Sequence, residues 1–349
     1  MLDLLQILVM ALHLTAVNAA FGGPILALWL YIRSRRRSDS LADALGLRLL
    51  RGSMHGLYSG MVLGIIAAWL WYSAQPREVL IAFESLPRSR YYFTIAELGF
   101  SAVCFEAWIV LWRTGSLRKG LGYFLAAMAI TNTVYHFPTL FSILSVLSSR
   151  PAATELPLRY VHVLIDPEVV ARVTHFTLAS LAVAGAMLMA LATAKPKALA
   201  AALTSSHTAE SASADLVAAS ARLKARGAQI ALVATLLQWP VGVVVMLQLP
   251  EAARDTLLGY HVAVTLLFAL SLGAVVMLMH RLATASFGES TAAEVRSGLL
   301  WLGITIAMMT AVRHLSREPL YLAERPAVAR FTAYDIIYES SPPRIGSRT

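Results

Sequence analysis

The chain has 349 residues, of which 58% are hydrophobic and only 14% are charged. Soluble domains usually carry about 25% charged residues, so this composition excludes an ordinary soluble fold and indicates a protein surrounded by lipid. The net charge of +9 does not indicate nucleic-acid binding, because the basic residues lie in short segments between apolar stretches. The single cysteine, Cys104, excludes an intramolecular disulfide and a CxxCH haem attachment.

Apolar stretches recur along the chain, each close to the roughly 20 residues needed to cross a hydrocarbon core. They predict an all-α integral membrane protein with about eight transmembrane helices. The predicted helices lie at approximately 4–32, 56–74, 91–112, 121–147, 171–194, 227–249, 258–281 and 297–314. The first stretch is too long, and too closely followed by RSRRR, to be a cleaved signal peptide.

Basic residues are distributed unequally between the two sides of these helices. With the N-terminus outside, more than twice as many fall in the cytoplasm as in the outer loops. Because cytoplasmic loops of membrane proteins carry an excess of lysine and arginine, the sequence predicts an extracytoplasmic N-terminus. The predicted location is the bacterial inner membrane, which the chain crosses several times.

The connections divide the chain into four parts. Residues 1–194 hold five predicted helices, and 195–226 form a cytoplasmic loop whose TSSHTAESASAD run is typical of a flexible polar segment. Residues 227–314 hold the last three helices, and 315–349 form an extracytoplasmic tail. No internal repeat is recognisable in the sequence, which argues against an inverted-repeat transporter.

Histidines in the predicted helices are candidate functional residues, because imidazole in lipid is costly unless it is paired or ligates a metal. Haem is the natural ligand, since it needs one or two axial side chains and an apolar slot. Small residues beside His13 and His175 would leave room for a macrocycle, or would simply allow close helix packing. These small residues are Ala16, Val17 and Ala20 on the first helix and Ala179, Ala182 and Ala186 on the fifth.

Four other polar residues have two explanations each. His136 precedes Pro138, so it is either a ligand or the partner of a carbonyl freed by that proline. His261, at the start of the seventh helix, is a similar candidate. Glu97 and Glu106 lie on opposite faces of the third helix, where they would form either a proton route or hydrogen bonds to neighbouring helices.

Several segments of the first half resemble, in order, the large subunit of cytochrome bd-type oxygen reductases. The first helix, QILVMALHLTAVNAAFGGPILALWLYIRSR, has a histidine in its outer half and a basic exit. The second, GLYSGMVLGIIAAW, is rich in glycine, and the third carries two glutamates. The fifth, RVTHFTLASLAVAGAMLMAL, places a histidine before small residues. The resemblance covers about residues 1–195.

This resemblance implies a haem-b-binding membrane subunit of a respiratory electron-transfer complex. It implies two or more haems b, with a d-type haem and oxygen reduction as further family properties. His13 would serve the high-spin haem, His175 a low-spin haem b, and Glu97 and Glu106 the proton route. Membrane lipid, other subunits and a cytochrome c or quinol donor would be its partners. Two alternatives stay open: a proton-coupled membrane transporter using both glutamates and His136, and a cofactor-free membrane anchor.

The chain departs from that family between the sixth and seventh helices. The family's long quinol-binding loop is replaced by about eight residues, QLPEAARD and its neighbours. Fully extended, such a loop spans only roughly 28 Å, which is too short to fold over a quinone ring and its tail. The predicted donor is therefore a cytochrome c that docks on residues 148–170 and on the tail. The basic residues of the tail are Arg317, Arg325, Arg330, Arg344 and Arg348.

Overall fold

A computed structural model describes residues 2–84, 86–117, 119–148, 160–193, 209–287 and 290–317. Nearly all of these residues are helical, and no β-strand occurs among them, which confirms the all-α class. The helices are α1 (Leu2–Arg37), α2 (Ser40–Ala74), α3 (Pro76–Glu84), α4 (Arg88–Arg113), α5 (Lys119–Leu147), α6 (Tyr160–Leu164), α7 (Pro167–Thr193), α8 (Ala209–Leu247), α9 (Glu251–Asp255), α10 (Val262–Phe287) and α11 (Ala292–Leu315).

Within the described part of the chain, seven helices are long and apolar enough to cross a membrane: α1, α2, α4, α7, α8, α10 and α11. They establish a multi-pass membrane protein. The eighth predicted span, α5, has 29 residues and therefore the necessary length. Its composition is less apolar, because Asn132, His136 and several threonines lie in its middle.

Two helices extend far beyond their predicted spans. α2 begins at Ser40, where the Asp39 side chain caps the helix by accepting a hydrogen bond of 3.0 Å from the Ala42 backbone N–H. α8 begins at Ala209, inside the predicted cytoplasmic loop, so the part of the polar run from 209 onward is helical. Its alanines favour the helix over the loop that the serines indicated. Residues 195–208 and the tail after 317 lie outside the described residues.

α1 and α2 are antiparallel neighbours, and their contacts run from one end of the bundle to the other. We call the end at which α1 begins the upper end, and the opposite end the lower end. Near the upper end, the Gln6 side chain donates a hydrogen bond of 2.9 Å to the Leu70 carbonyl oxygen. Near the lower end, Gly23 lies so close to Ser53 that a Cβ at Gly23 would be 1.7 Å from the serine hydroxyl oxygen. Glycine therefore sets the distance between these two helices.

α7 occupies a place equivalent to that of α1, and α8 one equivalent to that of α2. The buried hydrogen bond between Asn18 and Ser180 joins α1 and α7 at positions 162 residues apart, the separation that also relates His13 to His175. The lining of the two histidines corresponds as well, since Gly64 lies against the His13 ring and Gly242 against the His175 ring. The two helix pairs thus form an internal repeat. The sequence does not show this repeat, because few of the corresponding positions keep the same residue.

Candidate functional site

His13 is half-buried in the upper part of α1, and its ring is fixed by the backbone of α2. Its Nδ1 lies 2.9 Å from the Gly60 carbonyl oxygen. A carbonyl oxygen only accepts hydrogen bonds, so Nδ1 carries a proton and the neutral ring presents its lone pair at Nε2. A Cβ at Gly64 would lie 2.9 Å from Cε1 of His13, so the absence of a side chain at Gly64 leaves room for the ring. This arrangement is the one in which a histidine commonly ligates a metal through Nε2.

The small residues beside His13 pack against α2. A Cβ at Gly56 would lie 2.7 Å from the Ala16 carbonyl oxygen and 3.3 Å from the Ala20 backbone nitrogen. Close helix packing, the second of the two explanations above, therefore accounts for Ala16 and Ala20. A macrocycle at His13 would have to approach from another side of the ring.

His175 is half-buried in α7 and lies against α8. A Cβ at Gly242 would be 3.7 Å from its Cε1, and the Gln238 backbone lies beside the ring. Its Nδ1 is buried against the Gln238 backbone, without a hydrogen bond of regular geometry. This nitrogen faces the protein, as Nδ1 of His13 does.

The space between the two histidine helices is small. The packing among α1, α5 and α7 leaves no cavity that could hold a water molecule, whereas typical ligand pockets have roughly 300–1,000 Å³. The residues that pack together there are Phe21, Ile25, Val134, Pro138, Phe176, Thr177 and Ser180. A macrocycle bound to either histidine would accordingly lie on the partly exposed side of the ring, away from this space.

The other two candidate histidines lie on different elements. The His136 ring packs against Phe93 and Tyr135, with centroids 5.3 and 4.9 Å away. Neither His136 nor Asn132 makes a hydrogen bond with the described residues, so no partner for a carbonyl freed by Pro138 is observed there. His261 is exposed at the start of α10, after a wide turn in which Gly259 has a φ of 132°.

Glu97 and Glu106 face different surroundings on α4. Glu106 is exposed and accepts a hydrogen bond of 3.1 Å from the Tyr58 hydroxyl, which the sequence had not singled out. Tyr58 and Glu106 both line an open, otherwise apolar groove of about 520 Å³. Glu97 is half-buried, and its Oε2 is buried without a hydrogen bond among the described residues. The two carboxylates therefore belong to separate places, as the predicted opposite faces require.

A polar cluster at the upper end is a further feature that the sequence did not reveal. The guanidinium groups of Arg172, Arg313 and Arg317 all donate hydrogen bonds to Ser145 near the end of α5. Arg172 also pairs with the fully buried Glu168. Arg317, predicted to face an acidic partner, thus ties α11 to α5. The remaining four tail arginines lie outside the described residues.

Searches against protein-family models and against curated proteins found no match for this sequence. The fold and the side chains therefore define the class directly: a multi-pass, all-α membrane protein with two equivalent histidines in the upper half of its bundle. Among the residues described, no three His, Cys, Asp or Glu side chains form a metal-binding group. Haem does not require such a group, because it takes one or two axial ligands.

Proposed function

We propose that this protein is a haem-b-binding membrane subunit of a respiratory electron-transfer complex, with His13 and His175 as axial ligands. The observation that carries the proposal is the equivalence of the two imidazoles. Each lies at the same position of a repeated helix pair, and each faces a glycine of the second helix. Haem, when bound, supplies reversible one-electron transfer.

The protein's own part is to hold the two donor atoms. The Gly60 carbonyl oxygen fixes the His13 tautomer and the ring orientation, which leaves Nε2 for iron. His175 has its Nδ1 buried against the Gln238 backbone of α8, at the position that corresponds to Gly60 beside His13. Neutral imidazole in an apolar helix is costly by itself, and ligation offsets this cost.

The proposed orientation places the upper end outside the cytoplasm. The lower end carries the basic residues of the last turn of α1 and those of the lower part of α8, as the positive-inside rule expects of the cytoplasmic side. Both histidines then lie in the outer half of the bilayer. Electrons would enter there, from a cytochrome c or from a quinol, and a bd-type oxygen reductase activity is the further expectation from the resemblance.

A proton-coupled transporter is the second candidate, and two observations favour it. The repeat of the α1–α2 pair by the α7–α8 pair is of the parallel kind found in some transporter families. Glu106 is an exposed carboxylate in the membrane helix α4, where it accepts a hydrogen bond from the Tyr58 hydroxyl. Intramembrane carboxylates are typical of proton pathways.

A pyridine haemochrome spectrum of the protein purified from its native membrane separates these candidates. The haem proposal expects a Soret band and a haem-b spectrum, with at least one haem per chain. A colourless protein with full helical content would refute the haem proposal. In that case, proton uptake by vesicles that contain the protein tests the transporter.

A further inference from the structure

Arg281, near the lower end of α10, places a guanidinium beside a hydrophobic cluster. Leu278 and Leu282 of the same helix are buried in that cluster, together with Met189 of α7 and Val295 of α11. The Arg281 Nε is buried, and the side chain forms no hydrogen bond and no ion pair with any of the described residues. A charge in this position is costly without a counter-ion, because the surrounding medium is apolar.

A second cation and a second unpartnered polar atom lie in the same place. Lys224 of α8 donates a hydrogen bond to the Ser290 carbonyl oxygen at the start of α11. The Ser290 hydroxyl oxygen is itself buried without a hydrogen bond among the described residues. Three donors from three different helices or their connections therefore lie at the lower end of the bundle, where Arg281 packs against α11 with its Cβ 3.8 Å from a Cβ at Gly298.

One carboxylate is close to both cations. Glu294 accepts a hydrogen bond of 2.7 Å from the Thr291 backbone N–H, which caps α11, and the charges of Arg281 and Lys224 act on it. Two cations and one anion leave a single positive charge in this group. A ligand with one negative charge and several acceptor oxygens would balance that charge.

We propose that Arg281 and Lys224 bind the phosphate group of an anionic phospholipid between α8, α10 and α11. A phosphodiester carries one negative charge, and its paired oxygens match the fork of N–H donors on a guanidinium. The surroundings favour a lipid over free phosphate, because Val276 and Met277, about one turn above Arg281, are exposed and offer an apolar surface to acyl chains. Basic pockets between transmembrane helices bind lipid head groups in this way.

The test compares the full-length protein with three variants after removal of native lipid with detergent. Arg281→Gln and Lys224→Gln each remove one proposed phosphate contact. Arg296→Gln is the matched control, since Arg296 is an exposed arginine of α11 at the same end. The probes are phosphatidylglycerol, phosphatidylcholine of the same chain length and inorganic phosphate. The measurements are lipid retention by native mass spectrometry and the thermal midpoint.

We expect phosphatidylglycerol to bind and to raise the midpoint, while phosphatidylcholine and phosphate leave it unchanged. Arg281→Gln and Lys224→Gln should each weaken phosphatidylglycerol binding by about tenfold or more, and Arg296→Gln should not. Arg281→Gln should also unfold no earlier than the wild type without lipid, because the Arg281 side chain makes no hydrogen bond and no ion pair with the described residues. Equal effects of the two lipids, unchanged binding by both variants, or an equal shift with phosphate alone would each overturn the proposal. If one variant does not fold, the other still decides the question.

Discussion

The Ser180 hydroxyl donates a hydrogen bond of 2.8 Å to the Asn18 side-chain oxygen, where α1 and α7 pack together. Each of these residues follows a candidate haem ligand by five positions, so the contact fixes how the two histidine helices sit relative to each other. Gly22 makes this approach possible, because a Cβ there would lie 1.9 Å from the Ser180 carbonyl oxygen. The geometry of the histidine pair thus depends on close packing several residues away.

Gly22→Ala should destabilise the protein by about 1–3 kcal/mol, because the added methyl group must push α1 and α7 apart. Gly99→Ala on α4 is the matched control, since nothing lies within 4 Å of a Cβ at Gly99. That control should be neutral or slightly stabilising, because alanine favours a helix more than glycine does. Thermal unfolding in detergent measures both variants. Equal midpoints for the two would contradict the close approach.

His175→Ala should remove a haem-b signal while the protein still inserts into the membrane. The reason is that His175 occupies on α7 the position that corresponds to His13 on α1, with its ring beside Gly242 of α8. His55→Ala is a suitable control, because His55 is exposed and hydrogen-bonds only within its own helix, to the Arg51 carbonyl oxygen. The measurement is the haem-to-protein ratio by pyridine haemochrome. An unchanged ratio in His175→Ala would exclude this ligand.

His13→Ala should remove a second haem from the same half of the bilayer. Gly64→Ala provides a finer test, because its methyl group would press on the His13 ring at 2.9 Å without removing Nε2. We expect the first variant to lose haem, and the second to keep haem but to shift its absorption spectrum. If His13→Ala and the wild type hold the same amount of haem, His13 is not a ligand.

The sequence predicted the features that depend on local composition. The length of the apolar stretches located the membrane helices. His13 and Glu106 were selected because histidine and glutamate are costly in an apolar helix unless they have polar partners. The features that the sequence missed depend on contacts between distant segments. Tyr58 was passed over because its partner, Glu106, lies on another helix. Ser145 was passed over because its arginine partners come from α7 and α11.

The internal repeat was missed for a related reason. Equivalent positions carry different side chains, as with Asn18 and Ser180, so the repeat leaves little trace in the residue pattern. The helical extension of α2 shows another limit. The predicted span began where the sequence becomes continuously apolar, whereas the helix begins earlier, at its cap, Asp39.

Stability should fall in acid through Asp39, which lies between α1 and α2. Burial alone would raise the pKa of this carboxyl, but hydrogen bonds from the Ala42 backbone N–H and from Arg33 outweigh burial and hold the pKa below its usual value. The unfolded chain therefore binds the proton more readily than the folded chain. The contribution is complete above about pH 4, near the usual aspartate pKa, and is lost as the pH falls through the lower folded value.

Asp39→Ala should lower the free energy of unfolding at neutral pH by about 0.5–2 kcal/mol, the usual effect of removing a helix cap. Asp39→Asn keeps an acceptor for the cap but removes the charge, so it should lose less at neutral pH and show a weaker dependence on acid. Thermal midpoints measured from about pH 3 to pH 7 check both expectations. If the thermal midpoint of Asp39→Asn fell in acid as much as that of the wild type, groups other than Asp39 would be responsible for the acid dependence.

The last prediction concerns the electron donor, and it depends on the proposed haem function. In the structure, α8 ends at Leu247 and α10 begins at Val262, with only the short α9 and a wide turn between them. This connection is too short to enclose a quinone ring and its tail. A soluble or tethered cytochrome c that docks on residues 148–170 and on the tail is therefore the expected donor.

Removal of residues 318–349 separates docking from haem binding. The deletion removes Arg325, Arg330, Arg344 and Arg348 but keeps Arg317, whose side chain donates a hydrogen bond of 3.0 Å to the Ser145 carbonyl oxygen. We expect unchanged haem content and slower reduction by cytochrome c, because the proposed docking segment is lost. The rate should keep most of its dependence on salt, since the four arginines leave together with Glu318, Glu324, Asp335 and Glu339. Stopped-flow mixing of the purified protein with reduced cytochrome c and, separately, with a short-chain quinol measures both routes. Rapid haem reduction by quinol, with none by any cytochrome c of the host, would show that quinone binds between the helices instead.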